Sequence, residues 1–203
     1  MTARERAMIR DFPPLLMSER LEYRAPTPND ADFIYPAIVA SHAQLQPWMR
    51  WAKATPTPED TKLYVRRALW EWHDRESLDY RLFYDGEFVG NCAVHTINWD
   101  VPSAQIGYWL HAGFQGRGFI GEAVERLERF AWEELDLARL EIRCHARNLA
   151  SAKVAVRAGF EQEAYMKNSF RDNTGQLSDA LVFAKVRVPR SEEHTEPSAP
   201  HSS

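Results

Sequence analysis

Three glycines within six residues, Gly116-Arg117-Gly118-Phe119-Ile120-Gly121, separate a strand-like run from an amphipathic helix. No other stretch constrains the fold as strongly. Glycine lets a backbone approach a bulky group closely, and the first turn of a helix presents N–H groups that have no intrahelical acceptor. Aligned peptide dipoles add partial positive charge at the same end, so a diphosphate is the natural guest. Arg117 adds a side chain able to make a charge-assisted contact to phosphate. The recognition rests on N–H donors, so it requires no metal.

The same string fits G-x-G-x-x-G, the pattern of dinucleotide-binding folds. Its surroundings argue against that reading. The strand-like run Gln105 to Leu110 ends five residues before the first glycine, where a dinucleotide turn is tight. The acid about twenty residues on, Glu141, lies inside a strand-like run rather than at its end.

The rest of the chain alternates strand and helix patterns. Arg20 to Arg24 reads as a first strand. Thr27-Pro28-Asn29-Asp30 and Thr57-Pro58-Glu59-Asp60 both read as helix starts, with Thr as cap, Pro in the first turn and an acid beside it. Tyr80 to Tyr84, Asp85-Gly86 and Phe88 to His95 read as a hairpin. After the glycines, Ile120, Val124, Leu127 and Ala131 form one apolar stripe. A strand over Arg139 to Ala146, a helix from Asn148 to Gly159, and strands near Gln162 to Lys167 and Leu177 to Val186 complete the pattern. A mixed sheet with helices on both faces follows.

The length of 203 residues suits one domain. Residues 1–18 read as an irregular leader, 19–188 as the folded domain, and the polar stretch 189–203 as a disordered tail. A net charge of −4 argues against a general nucleic-acid binder. Cys92 and Cys144 lie in apolar runs without a CxxC partner, which reads as reduced core cysteines and a cytoplasmic protein. No apolar run reaches the roughly 18 residues of a membrane helix, and the N-terminal residues lack a signal-peptide core.

Two motifs carry a resemblance. Gln115-x-x-Gly118-x-Ile120, after a strand and before a helix, resembles motif A of the GNAT superfamily of N-acetyltransferases. Ile120 departs from the usual small residue, at a position read through its N–H. Asn148-x-x-Ser151-x-x-Val154 and the stop Gly159-Phe160 resemble the superfamily's next helix. Ile106-Gly107-Tyr108-Trp109-Leu110 and Trp48-Met49-Arg50-Trp51 are similar to the RimJ/RimL-like branch, which acetylates N-terminal amines of ribosomal proteins.

The resemblance implies a single α/β (α+β) domain. Its sheet would be mixed and mostly antiparallel, with about seven strands, splayed central strands and helices on both faces. It implies acetyl-CoA as co-substrate. Gln115, Gly116, Arg117, Gly118, Phe119, Ile120 and Gly121 would hold the pyrophosphate. Tyr108, Trp109 and Leu110 would flank the pantetheine arm and thioester, and Asn148 would hold a pantetheine amide. Ser151 would donate a proton to the leaving thiolate or hydrogen-bond its sulfur. An amine would attack the thioester directly in a ternary complex, and Trp48, Trp51 and Tyr108 would line its pocket.

One position departs from the branch. A glutamate that serves there as candidate base falls on Phe170, after Met166-Lys167. His95 or Asp179 acting through water, or no base at all, remain. An α-amine is about 10–20% neutral at pH 7, whereas a lysine is below about 0.1% neutral, so an N-terminal acceptor asks less of a base. Acceptors in play are a protein N-terminus or a small molecule such as an antibiotic, polyamine or amino acid. A non-catalytic acyl-CoA-binding module stays open beside them. A homodimer is compatible with the pattern; DNA and membrane partners are not expected.

Overall fold

The computed structural model describes residues 3–187. The expected tail, 189–203, lies outside the described residues. The remainder is one mixed sheet flanked by helices on both faces.

In chain order the elements are α1 (Ala3–Met8), β1 (Leu15–Met17), β2 (Glu22–Arg24), α2 (Ala31–Leu45), α3 (Pro58–His73), β3 (Ser77–Tyr84) and β4 (Glu87–Asn98). Then follow β5 (Ser103–Leu110), α4 (Phe119–Glu133), β6 (Arg139–His145), α5 (Leu149–Arg157), β7 (Glu161–Arg171) and β8 (Leu177–Val186). The sheet has eight strands in the order β1-β2-β3-β4-β5-β6-β8-β7. All pairs are antiparallel except β5 with β6.

The eighth strand is the one added at the N-terminus. In place of the expected irregular leader, the described residues 3–18 hold α1 and β1. Leu16 and Phe12 reach the main core, where Phe12 meets Phe130 edge-on. Burial of those side chains, invisible in a short polar-apolar mixture, orders the segment.

The two threonine starts diverge. Thr57 forms a full capping box with Asp60, and Pro58 opens α3. At Thr27 the helix begins four residues later, with Asp30 as N-cap. Asp30 accepts from the Thr27 backbone and hydroxyl, but it also faces Arg81 on β3. That tertiary ion pair fixes where the helix can start.

Sheet alternation divides the core. Leu78, Tyr80, Cys92, Val94, Ile106 and Ile142 face α4 and α5. The opposite face carries Trp109 against α2 and α3, with Ile34, Ile38 and Val65. Cys92 is a core residue, whereas Cys144 is only half-buried.

The strand that makes the fold useful is β5. It pairs with β4 continuously from Gln105 to Leu110 and again at Ser103, past an irregularity between His95 and Asn98. Its partnership with β6 covers only Ser103, Ala104 and Gln105. From Ile106 onward the two parallel strands diverge and leave a gap in the middle of the sheet.

Candidate active site

The gap is lined by unpaired backbone. The His111 N–H donates to the Val89 carbonyl at 2.8 Å. In an antiparallel pair, N–H groups alternate between the partner strand and the other edge. Those of Tyr108 and Leu110 therefore point away from β4, into the gap. They are donors placed where an extended amide-bearing arm could lie.

Below the gap sits the glycine loop. Gly116 and Gly118 both take positive φ, at 77° and 80°. Gly118 is the N-cap of α4 in the left-handed region, which disfavours any side chain there. A Cβ on Gly121 would meet nothing within 4 Å, so the first turn of α4 is open on that side. Gln115 and Arg117 are exposed. Phe119 is different: its ring is buried against Tyr84 and Phe114, so only its backbone can serve a ligand.

The loop is braced from the N-terminal segment. Glu122, in the first turn of α4, accepts from the Ser18 hydroxyl at 2.6 Å, the Arg20 backbone at 2.8 Å and the Arg20 guanidinium at 2.7 Å. Arg20 also donates to the Arg117 carbonyl at 3.0 Å and stacks over Phe119. Arg20 thus brings a cation to the loop's rim. Sequence reading missed it because the contact spans about a hundred residues.

Above the loop, α5 meets the gap. Asn148 caps α5, its side chain accepting from the Ser151 N–H at 3.1 Å. The Ser151 hydroxyl lies 2.9 Å from the Tyr108 hydroxyl. Burial pushes up the pKa of the Cys144 thiol, against the lowering influence of Ser151. Burial outweighs the Ser151 contact and holds the Tyr108 phenol well above its ordinary range, so it stays protonated. Tyr108 therefore belongs with Ser151 on the α4/α5 face, while alternation turns Gly107 and Trp109 to the α2/α3 face.

That second face opens into a cavity of about 1240 Å³ that reaches through the gap to Ser151 and Asn148. Trp48 and Trp51 line it and are substantially exposed. Trp48 meets His145 edge-on and Trp51 meets Trp109. Phe170 lines it too, edge-on to His145. His145 was missed in the sequence, where the run RCHA reads only as strand. Burial and Arg147 lower its pKa, and its Nδ1 accepts from the Arg147 N–H. The neutral ring therefore carries its proton on Nε2.

His95 projects over Gly107. A Cβ on Gly107 would stand 2.8 Å from His95 Nε2, so only glycine lets the imidazole sit there. Burial lowers the His95 pKa, against the opposing pull of Asp79 and Glu71. The ring is therefore neutral at pH 7. Its Nδ1 lies 2.9 Å from the Thr96 hydroxyl. Asp179 is placed differently: it is not among the residues lining the cavity. Its carboxylate accepts from the Tyr165 hydroxyl at 2.6 Å and the Asn168 N–H at 2.8 Å, joining β7 to β8.

Among the described residues, no group of three or more His, Cys, Asp or Glu converges as a metal site. Likewise, no helix there is long and apolar enough to cross a membrane.

Residues 20–161 match the family described as acetyltransferase (GNAT) domain. The chain is 29% identical over 170 residues to a ribosomal-protein-serine acetyltransferase of Escherichia coli (strain K12), covering 84% of this chain and 94% of that protein. Among solved structures it resembles RimL, a ribosomal alpha-N-protein acetyltransferase in complex with coenzyme A. The TM-score is 0.81 at 26% identity, over 85% of this chain and 97% of that one. It also resembles an acetyl transferase from Salmonella typhimurium that modifies the N-terminal serine of a 50S ribosomal subunit protein. There the TM-score is 0.77 at 27% identity, over 84% and 97% of the two chains.

Proposed function

The chain belongs to the GNAT acetyltransferase family, and we propose that it moves acetyl from acetyl-CoA to the N-terminal α-amine of a protein, of the ribosomal-protein type. The observation that carries this is the gap between β5 and β6, with a phosphate-suited helix start at one end and, on the α2/α3 face, a cavity wide enough for the end of a peptide at the other. Similar solved structures described as a ribosomal alpha-N-protein acetyltransferase and as modifying an N-terminal serine support the choice of acceptor.

The residues present suit coenzyme A. The N–H groups of Phe119, Ile120 and Gly121 face a diphosphate, with Arg117 and Arg20 at the rim. The N–H groups of Tyr108 and Leu110 suit the pantetheine arm and the thioester oxygen, where negative charge builds during attack. The amine enters from the α2/α3 face, past Trp48 and Trp51. Its nitrogen bonds to the thioester carbon as the C–S bond breaks.

Two protons move. His95 Nε2 takes one from the attacking amine, with its Nδ1–H donated to the Thr96 hydroxyl. Ser151, hydrogen-bonded to Tyr108, gives one to the departing sulfur and is reprotonated by water, to which His95 releases the proton it took. With Phe170 in place of a glutamate, two neutral imidazoles line this face, and His95, which stands over Gly107 on β5, is the one assigned as base. The same chemistry and the free thiols fit a cytoplasmic enzyme.

The test is turnover. The protein is incubated with acetyl-CoA and N-terminal peptides, lysine peptides or small amines, and thiol release is followed. Preference for N-terminal peptides is expected. Preference for a small amine contradicts the acceptor assignment. Tight CoA binding without turnover on any acceptor would favour a binding module.

A further inference from the structure

Three strands align small residues in one row on the acceptor face. Asp79 pairs with Ala93, and Ala93 pairs with Gly107. The neighbouring rows are bulkier: Arg81, Asn91 and Trp109 on one side, and Ser77, His95 and Gln105 on the other. Ala93 therefore floors a trough, whose Gly107 end is covered by the His95 imidazole. It starts where the amine meets the thioester and ends at Asp79, about 10 Å away at two inter-strand spacings.

The far end is a buried polar cluster. Arg81 lies between two carboxylates, with Asp30 at 2.6 Å and Asp79 at 3.0 Å. Tyr64 from α3 donates to Asp79, and Asn91 Nδ2 donates to Asp79 and to the Tyr64 oxygen. Two carboxylates against one guanidinium leave one unbalanced negative charge. Asn91 is 3% exposed, yet its Oδ1 has no hydrogen-bond partner, and the Arg81 Nη2 beside it has none either. Tyr64, Asp79 and Asn91 all line the cavity. A buried acceptor without a donor is costly, and a buried unpaired charge more so. The excess charge and the Asn91 Oδ1 are met by the same guest, a cation bearing N–H donors, whereas the Arg81 Nη2 needs an acceptor such as a carbonyl or a water beside it.

We propose that Asp79 and Asn91 Oδ1 form a specificity subsite for a lysine or arginine side chain of the acceptor, next to its acetylated N-terminus. This rests on the reading of the cleft as an N-terminal acetyltransferase site. A residue advances an extended chain by about 3.3–3.6 Å. A long basic side chain on the second residue therefore spans the trough while the α-amine stays at Gly107. Trp109 and His95 wall its aliphatic stem. The rim pair Arg67–Glu71 is internally neutralised at 2.5 Å and does not compete for the cation.

The test compares acceptor peptides that differ only at the second residue: Lys, Arg, Ala or Glu after an N-terminal Ser. Wild-type protein is expected to favour Lys and Arg over Ala by about tenfold in kcat/KM, mainly through KM, with Glu the poorest. Asp79→Asn keeps the shape and removes the charge, and should bring the Lys/Ala ratio to within about twofold. Tyr64→Phe, which keeps the packing, should lower the same ratio by less. A ratio needs no comparison of absolute activity, so partial loss of folded protein leaves it readable. Equal use of all four peptides by the wild type would overturn the proposal and mark the cluster as a structural clip around a water. A basic preference that survives Asp79→Asn would overturn it too. Failure to acetylate any N-terminal peptide would instead sink the N-terminal reading itself.

Discussion

The Tyr108 and Ser151 hydroxyls lie 2.9 Å apart, one on β5 and one on α5, and so close the gap at the point where a thioester sulfur would sit. The contact joins the two elements that the divergence of β5 and β6 separates. If Ser151 protonates the departing sulfur, Ser151→Ala should lower kcat by about a hundredfold. CoA affinity should barely change, since the glycine loop proposed for the phosphates lies elsewhere. Stopped-flow thiol release and calorimetry separate the two effects. Unchanged kcat would remove Ser151 from the chemistry.

Gly118 is held at φ 80° at the mouth of α4. Gly118→Asp places a Cβ in a strained conformation and a carboxylate against the diphosphate. CoA binding should be lost in calorimetry. Arg20→Ala should weaken binding more modestly, by about tenfold, because it removes one cation at the rim. Wild-type affinity in Gly118→Asp would overturn the loop assignment.

His95 titrates below the ordinary histidine value, chiefly because it is buried. A base works only when neutral, so kcat should fall as pH drops through a value below about 6.5. That acid limb should vanish or move in His95→Gln, with kcat about a hundredfold lower. A limb of the same position in the variant would assign it to another group. Stability runs in the same sense. The unfolded chain takes up the His95 proton first, so the stabilisation is present above about pH 6.5 and is lost as pH falls towards the folded value.

Glu122 ties Ser18 and Arg20 to the start of α4. Burial alone would raise its pKa, but hydrogen bonds from Ser18 and from the backbone and side chain of Arg20 outweigh it and lower the value. Glu122→Ala should cost about 1–3 kcal/mol, seen as a lower urea midpoint. Because the folded pKa is lowered, the contribution is present above the unfolded value of about 4.3 and lost as pH falls through the folded one. The difference between wild type and variant should therefore shrink in acid. A constant difference down to pH 3 would contradict the assignment.

Local grammar made much of this legible in the sequence. Gly116 and Gly118 ahead of an apolar stripe marked the helix start, Thr57-Pro58 marked α3, and Asp85-Gly86 marked the hairpin. Asn148 and Ser151 were legible through their resemblance to the superfamily's Asn-x-x-Ser helix. What stayed hidden depends on distant partners. Leu15–Met17 forms a strand only because β2 is there to pair with it. His145 gains meaning from Trp48 and Phe170, and Asp79 from Tyr64 and Arg81. Asp179 looked available because its partners Tyr165 and Asn168 lie across a hairpin whose register the sequence does not state.

The central claim concerns which nitrogen receives the acetyl group. The direct measurement is tandem mass spectrometry of a peptide with a free N-terminal serine and an internal lysine, after incubation with acetyl-CoA and the protein. The account predicts a single acetyl group on the α-amine and an unmodified lysine. Acetyl on the lysine with a free N-terminus would contradict it.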